Sequence, residues 1–181
     1  MRKVLMSIFI GLIVVSSAVS VLAATETVLT QDVPADYSYF GYSVAASNDR
    51  AMVGAQWDSS FGVYTGAVYM FEKNGANWEM TQKLGPSDPT DMMWFGNAVA
   101  IDGDYAVVGA IGADNSKGAA YVYFHNGTEW IDVIKLSADD GEVDDLFGFA
   151  VDISGMEVVV GAYWDSPKGE HSGSAYQFCG G

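Results

Sequence analysis

The sequence predicts an all-β fold made of three similar, four-stranded antiparallel sheets. Three observations lead to this prediction: a set of short motifs that occurs three times, short β-branched and aromatic runs between turn residues, and no helical periodicity after residue 24. Of the 181 residues, 50% are hydrophobic and 21 are glycine. This composition is typical of a packed chain with many tight turns, and it excludes a disordered chain.

Three copies of one repeat fill residues 25–181, at about residues 36–84, 91–136 and 144–178. Each copy begins with Phe-Gly, and a Gly-Ala pair preceded by Val follows 14 residues after the Phe. A block of the type Gly-Ala-x-Tyr comes next. The marker residues are Phe40, Gly41 and Gly54 in the first copy, Phe95, Gly96 and Gly109 in the second, and Phe147, Gly148 and Gly161 in the third.

Within each copy the residue pattern predicts an antiparallel meander. Two apolar runs on either side of a Gly, Asn or Asp turn indicate a β-hairpin, as in residues 98–108. A third, alternating run leads to an Asn-Gly turn at Asn74 and at Asn126, and a fourth run ends in Lys-Leu. A unit of about 50 residues with four strands is typical of a β-propeller blade.

The recurrent Gly and Phe residues are expected to serve the architecture. Small residues on the inner strands let neighbouring backbones approach closely or adopt positive φ. We expect the Phe of each Phe-Gly pair to pack between neighbouring blades. The alternative is a binding motif, but a feature present in every blade favours a structural role.

These motifs resemble FG-GAP repeats, the blade repeats of the integrin α propeller and of many secreted bacterial and archaeal proteins. The resemblance covers residues 36–178 and is closest to the prokaryotic type. It implies a β-propeller that takes part in extracellular binding or adhesion, and it implies no enzyme activity.

Integrin-type blades also carry a calcium loop with alternating Asp residues, and no such run occurs here. The nearest candidates for calcium are Asp114 and Ser116, and the acidic stretch that contains Asp139 and Asp140. Because calcium takes about six to eight oxygen ligands, the spacing leaves open whether these loops bind calcium or are simply solvated. We otherwise expect no cofactor.

Two Trp-Asp pairs are the candidate ligand-binding residues. Trp57-Asp58 and Trp164-Asp165 occupy the same place after the second strand of the first and third repeats. Loops at this end of a blade form the ligand face of a propeller, where an indole offers apolar area and a carboxylate accepts hydrogen bonds. The alternative is that each Trp caps the core of its own blade. The expected partner is an extracellular protein or glycan.

Charge and the N-terminal segment bear on partners and location. With 8 Lys and Arg against 23 Asp and Glu, the net charge is −15, so we expect no nucleic-acid partner. Residues 1–24 have the basic start, apolar run and small-residue end of a secretory signal peptide. We therefore expect a secreted or cell-surface protein, extracellular or periplasmic. If the segment stays uncleaved, it is the one part that contacts a membrane.

The third repeat lacks its fourth strand, and three blades are fewer than the usual ~4–8. Residues 26–31 resemble residues 78–83, so we expect this N-terminal segment to act as the strand that completes the last blade. The chain is then a fragment of a larger propeller, half of a propeller that two copies complete as a homo-oligomer, or a separate three-bladed array.

No catalytic constellation is recognisable in the sequence. His125 adjoins the Asn126-Gly127 turn and is expected to be exposed, and no nucleophile motif lies near His171. We predict a binding or adhesion module without catalysis. The alternatives are a self-assembling repeat protein that oligomerises into a larger propeller, and a propeller enzyme acting on glycans.

Overall fold

The structure, a computed structural model, describes residues 26–33 and 35–180. In this part of the chain, eleven strands form three antiparallel sheets, which confirms the predicted all-β, blade-like fold. The first sheet contains β1 (Ser43–Ser47), β2 (Arg50–Ala55), β3 (Ala67–Asn74) and β4 (Asn77–Leu84). The second contains β5 (Phe95–Asp102), β6 (Tyr105–Ala110), β7 (Ala119–His125) and β8 (Trp130–Leu136). The third contains β9 (Phe147–Ser154), β10 (Glu157–Ala162) and β11 (Ser174–Cys179).

Each sheet is a meander in which strands that follow one another along the chain pair side by side. The first two strands of every sheet are joined by a two-residue turn, and Asn48, Gly103 and Gly155 in these turns have positive φ. The Asn-Gly turn predicted at Asn74 joins β3 to β4, with Asn74 opposite Asn77. The local turn signals therefore set the hairpins as expected.

The apolar core lies between consecutive sheets. One cluster joins Val68, Met70 and Leu84 of the first sheet to Phe95 and Tyr121 of the second. A second cluster joins the second sheet to the third and includes Val107, Ala120, Leu136, Phe147 and Val160. Phe95 and Phe147 are almost completely buried between sheets. This face-to-face burial stacks the sheets as the blades of a propeller are stacked.

The same backbone contact joins each pair of consecutive sheets. The amide of Phe95 donates to the carbonyl of Thr65 at 2.8 Å, and the amide of Phe147 donates to the carbonyl of Lys117 at 2.9 Å. A side-chain bond lies nearby in both interfaces, from Ser43 Oγ to the Gly96 carbonyl and from Asn97 Nδ2 to the Gly148 carbonyl. The two interfaces are therefore built alike.

One detail of the prediction is wrong, because residues 26–31 do not complete the third sheet. They form no strand and lie against the first sheet, where Leu29 packs on the cluster that contains Tyr69 and Phe40. Gln31 Oε1 accepts hydrogen bonds from the Tyr69 and Ser38 hydroxyls at 3.3 and 3.2 Å. Burial of this open apolar face explains the placement. In the described part of the chain the third sheet has three strands.

The predicted signal peptide, residues 1–24, lies outside the described residues. In residues 26–33 and 35–180, no helix has the length and apolar character needed to cross a bilayer. A four-residue helical turn, α1 (Ala113–Ser116), lies between β6 and β7, and Asp114 and Asn115 in it have left-handed backbone angles. This segment is a tight turn of a loop.

Candidate binding face

Two kinds of connection lie at the same end of the strands in each sheet. The loops between the second and third strands are residues 56–66, 111–118 and 163–173, and the connections to the next sheet are residues 85–94 and 137–146. In an antiparallel meander, each strand begins at the end of the sheet where the preceding strand finished. We call the end where these loops and connections lie the loop face. All the predicted ligand and metal residues lie on it.

On the first sheet, Asp58 lies in a polar network below the surface. Its carboxylate is 1% exposed and accepts hydrogen bonds from the Tyr69 hydroxyl at 2.6 Å and from Lys83 Nζ at 3.0 Å. The Ser60 amide donates to the other oxygen at 2.8 Å. This geometry differs from the predicted ligand contact, because both carboxylate oxygens of Asp58 already accept hydrogen bonds from other groups of the protein.

Ionisation of this network follows from its contacts. Burial raises the pKa of Asp58, but hydrogen bonds from Ser60, Tyr69 and Lys83 outweigh that effect and hold the pKa below its ordinary value. Burial, and then the bond to Asp58, raise the pKa of Tyr69. At neutral pH the first sheet therefore holds a charged carboxylate beside a protonated phenol.

Trp57 is half-buried among other aromatic side chains. Its ring lies edge-on to Tyr39, with centroids 4.7 Å apart, and tilted against Tyr64 at 5.4 Å. Its backbone amide donates to the Ser38 carbonyl at 3.2 Å. These contacts favour the alternative in which Trp57 packs on its own sheet.

On the second sheet the same network uses a different carboxylate, Asp88. The Tyr121 hydroxyl donates to Asp88 Oδ1 at 2.6 Å, and Lys135 Nζ lies 2.8 Å from Asp88 Oδ2 and 2.9 Å from Asp114 Oδ2. Sequence reasoning missed Asp88. The available signal was its position four residues after Leu84, which matches the position of Asp140 after Leu136.

The third sheet has the phenol and two carboxylates. The Tyr176 hydroxyl lies 3.0 Å from both Asp140 Oδ1 and Asp165 Oδ2. A hydrogen bond from Ser174 and another from Tyr176 lower the pKa of Asp165. Among the described residues, no Lys or Arg forms an ion pair with Asp140 or Asp165.

The candidate calcium residues are not gathered into one site. Asp114 is paired with Lys135, Asp140 accepts from Tyr176, Asp139 is exposed, and Ser116 lies in the tight turn before β7. In residues 26–33 and 35–180, no group of three His, Cys, Asp or Glu side chains is placed to hold a metal ion. The geometry gives the calcium interpretation no support.

A cleft of about 340 Å³ opens between residues 137–146 and 163–173, beside the third sheet. Trp164 on its wall is 42% exposed and lies tilted against His171, with ring centroids 5.0 Å apart. The lining residues are Asp140, Glu142, Val143, Asp144, Asp145, Trp164, Asp165, Ser166, Pro167 and His171. The structure thus brings together Trp164, Asp165 and Asp140, which the sequence had assigned to two different roles.

The cleft has a strongly acidic wall. Five of its ten lining residues are Asp or Glu, and none is Lys or Arg. Such a wall concentrates negative potential in a concave site and attracts cations or hydrogen-bond donors. Together with the exposed indole, it can hold a ligand that is cationic or rich in hydroxyl groups.

At the opposite end of the strands, His125 is buried, whereas we expected it to be exposed beside its turn. It is 8% exposed, with Arg50 Nη2 2.9 Å from its Nδ1 and the Trp130 ring tilted against it, the ring centroids 5.2 Å apart. Arg50 also reaches Glu72 at 3.2 Å and Asp104 at 2.6 Å. Arg50 thus connects the first sheet to the second, and His125 is part of this structural contact.

The chain matches a protein-family model. The family model of the FG-GAP repeat matches three consecutive segments, residues 24–71, 78–123 and 130–178, which together cover most of the chain. The second and third segments run from β4 to β7 and from β8 to β11, so each includes the last strand of the preceding sheet. No curated protein matches the chain.

Proposed function

Because the chain belongs to the FG-GAP repeat family, we propose that it is a secreted or cell-surface binding module that recognises a protein or glycan through its loop face, without catalysis. FG-GAP repeats are typical of extracellular propeller-type binding domains, which supports the general part of the proposal. The predicted signal peptide supports export.

The observation that carries the proposal is the cleft beside the third sheet. Trp164 lines this cleft and is 42% exposed, although burial of an aromatic side chain contributes strongly to stability. An aromatic side chain beside convergent polar groups in a concave site is a feature of ligand sites. An indole packs on the apolar face of a sugar, and the carboxylates accept hydrogen bonds from its hydroxyl groups.

Trp57 serves as an internal contrast. It occupies the same sequence position as Trp164, and both rings contact aromatic neighbours, but Trp57 is half-buried and the Asp after it is buried, whereas Trp164 is exposed and the Asp after it lines the cleft. We therefore assign ligand contact to the third sheet and assign Trp57 to packing.

The test is a screen of the purified chain against arrays of glycans and extracellular proteins, followed by calorimetric titration of each hit. Trp164→Ala is expected to weaken binding at least ~10-fold, the loss typical of a central aromatic contact. Tyr37→Ala is the matched control, because Tyr37 is 77% exposed and does not line the cleft.

Unfolding measurements on the same variants separate binding from packing. Trp164→Ala is expected to unfold like the wild type. Equal affinity of the wild type and Trp164→Ala for every hit would contradict the proposal.

A further inference from the structure

Among residues 26–33 and 35–180, the third sheet ends at β11 without a fourth strand. β11 pairs with β10 on one side, whereas β3 and β7 pair with a strand on both sides. Val68 in β3 and Ala120 in β7 are fully buried, whereas Ala175 at the equivalent place in β11 is exposed. An unpaired edge presents free backbone N–H and C=O groups to another strand.

In the other two sheets, the outer strand brings a lysine to a fixed place. Lys83 lies directly opposite Tyr69, and Lys135 lies directly opposite Tyr121. Each ammonium contacts the carboxylate that accepts the tyrosine hydrogen bond, and lies 4.8 or 5.7 Å from the ring centroid. The residue after each lysine is a buried Leu.

The third sheet has this arrangement without its cation. Tyr176 stands where Tyr69 and Tyr121 stand, and its hydroxyl contacts Asp140 and Asp165. Two carboxylates that share one phenol, with no ion pair to a described Lys or Arg, carry uncompensated negative charge. A lysine opposite Tyr176 would neutralise part of it.

Space for a strand exists beside β11. A largely apolar groove of about 480 Å³ runs between β8 and β11, with Val133, Ile134 and Phe178 in its lining. Outer strands of consecutive sheets are neighbours in this fold, because Gln82 of β4 exchanges two hydrogen bonds with the backbone of Trp130 in β8, at 2.8 and 2.7 Å. The groove is therefore where an outer strand of the third sheet would lie.

We propose that the edge of β11 binds an extended peptide segment with a lysine opposite Tyr176 and an aliphatic residue opposite Ala175. Main-chain hydrogen bonds to β11 supply affinity, and the Asp140–Asp165 pair supplies selectivity for lysine. Residues 26–31 do not meet this requirement, because they contain no lysine and lie against the first sheet.

The test uses the purified chain and a fluorescent peptide with the sequence of residues 128–137, which reproduces β8. Its matched control is the same peptide with Lys135→Met. By fluorescence anisotropy, the lysine peptide is expected to bind at least ~10-fold more tightly, the ratio that loss of a charge-assisted hydrogen bond produces. Hydrogen exchange is expected to slow in residues 174–179 when it binds.

Protein variants locate the site. Asp165→Asn and Asp140→Asn are expected to reduce the preference for the lysine peptide, whereas Asp88→Asn, the equivalent change in the completed second sheet, is expected to leave it unchanged. Trp164→Ala removes the aromatic wall of the cleft and is expected to leave peptide binding intact, so failure of this proposal and failure of the proposed function are distinguishable.

Three results would overturn the proposal. One is equal affinity of the wild-type chain for the two peptides. This comparison uses no carboxylate variant, so it holds even if such a variant is unstable. Another is slowing of hydrogen exchange by the peptide in other residues but not in residues 174–179. The third is a dimer in sedimentation experiments whose formation protects β11, because a second copy would then occupy the edge.

Discussion

Gly109 in the second sheet packs directly against the carbonyl group of Gly148 in the third, and no space for a methyl group remains between them. Gly54 and Gly96 make the same contact between the first and second sheets. Gly161 holds the equivalent position in the third sheet, where the nearest atoms to an added Cβ are those of Ala150, at 3.6 Å or more. A glycine that marks the repeat is thus required wherever another sheet follows.

Gly109→Ala is expected to destabilise the fold by about 1–3 kcal/mol, because the added methyl group would force the second and third sheets apart. Gly161→Ala is the matched control and is expected to change the free energy of unfolding by less than ~0.5 kcal/mol. Urea unfolding followed by tryptophan fluorescence measures both values. Similar losses for the two variants would contradict the close-approach explanation.

Asp58→Ala is expected to lower the free energy of unfolding by about 3 kcal/mol, the size of loss seen when one partner of a buried ion pair is removed. Lys83 would lose its ion-pair partner, and the Tyr69 hydroxyl would lose its 2.6 Å bond to Asp58 and keep the longer one to Gln31. Asp139→Ala changes an exposed carboxylate on the same face and is the control, with an expected effect below ~0.5 kcal/mol. An equally small effect at Asp58 would show that the network adds little stability.

Acidification is expected to weaken the wild type more than Asp58→Asn. The folded-state pKa of Asp58 is lowered, so the unfolded chain binds more protons once the pH falls to about 4, the ordinary value for Asp. The stabilisation is therefore fully present above that pH and is lost as the pH falls through the folded-state pKa. Urea unfolding between about pH 7 and pH 3 measures the difference. A constant difference between the two proteins across this range would refute it.

The sheets could be predicted because their signals are local. Asn74 and Gly75 specify a turn within the hairpin that contains them. The hydrogen bond from Tyr121 to Asp88 joins residues 33 apart and takes its carboxylate from a connection between sheets, whereas the first sheet takes it from a loop. The matching position of Asp140 was the one signal for Asp88, and it did not point to Tyr121.

The prediction for residues 26–31 was wrong for a related reason. Leu29 can cover an open apolar face at either end of the stack, and hydrophobic burial has no direction that the residue pattern could reveal. Its likeness to β4 indicated an outer position without saying beside which sheet. Trp57 and Trp164 are alike in sequence, and only their neighbours decide that one packs and the other stays exposed.

Arg50→Ala is expected to lower the free energy of unfolding by about 1–2 kcal/mol, because the guanidinium joins the first sheet to the second through Gly103, Asp104 and His125. Arg50→Lys is expected to recover little of the loss, since a single ammonium cannot reproduce the planar fork that contacts several acceptors at once. Lys73→Ala removes an exposed cation from β3 of the same sheet and is expected to have an effect below ~0.5 kcal/mol. Chemical unfolding of the three variants distinguishes fork geometry from charge. Full recovery by lysine would mean that positive charge at this position, rather than the guanidinium, holds the two sheets together.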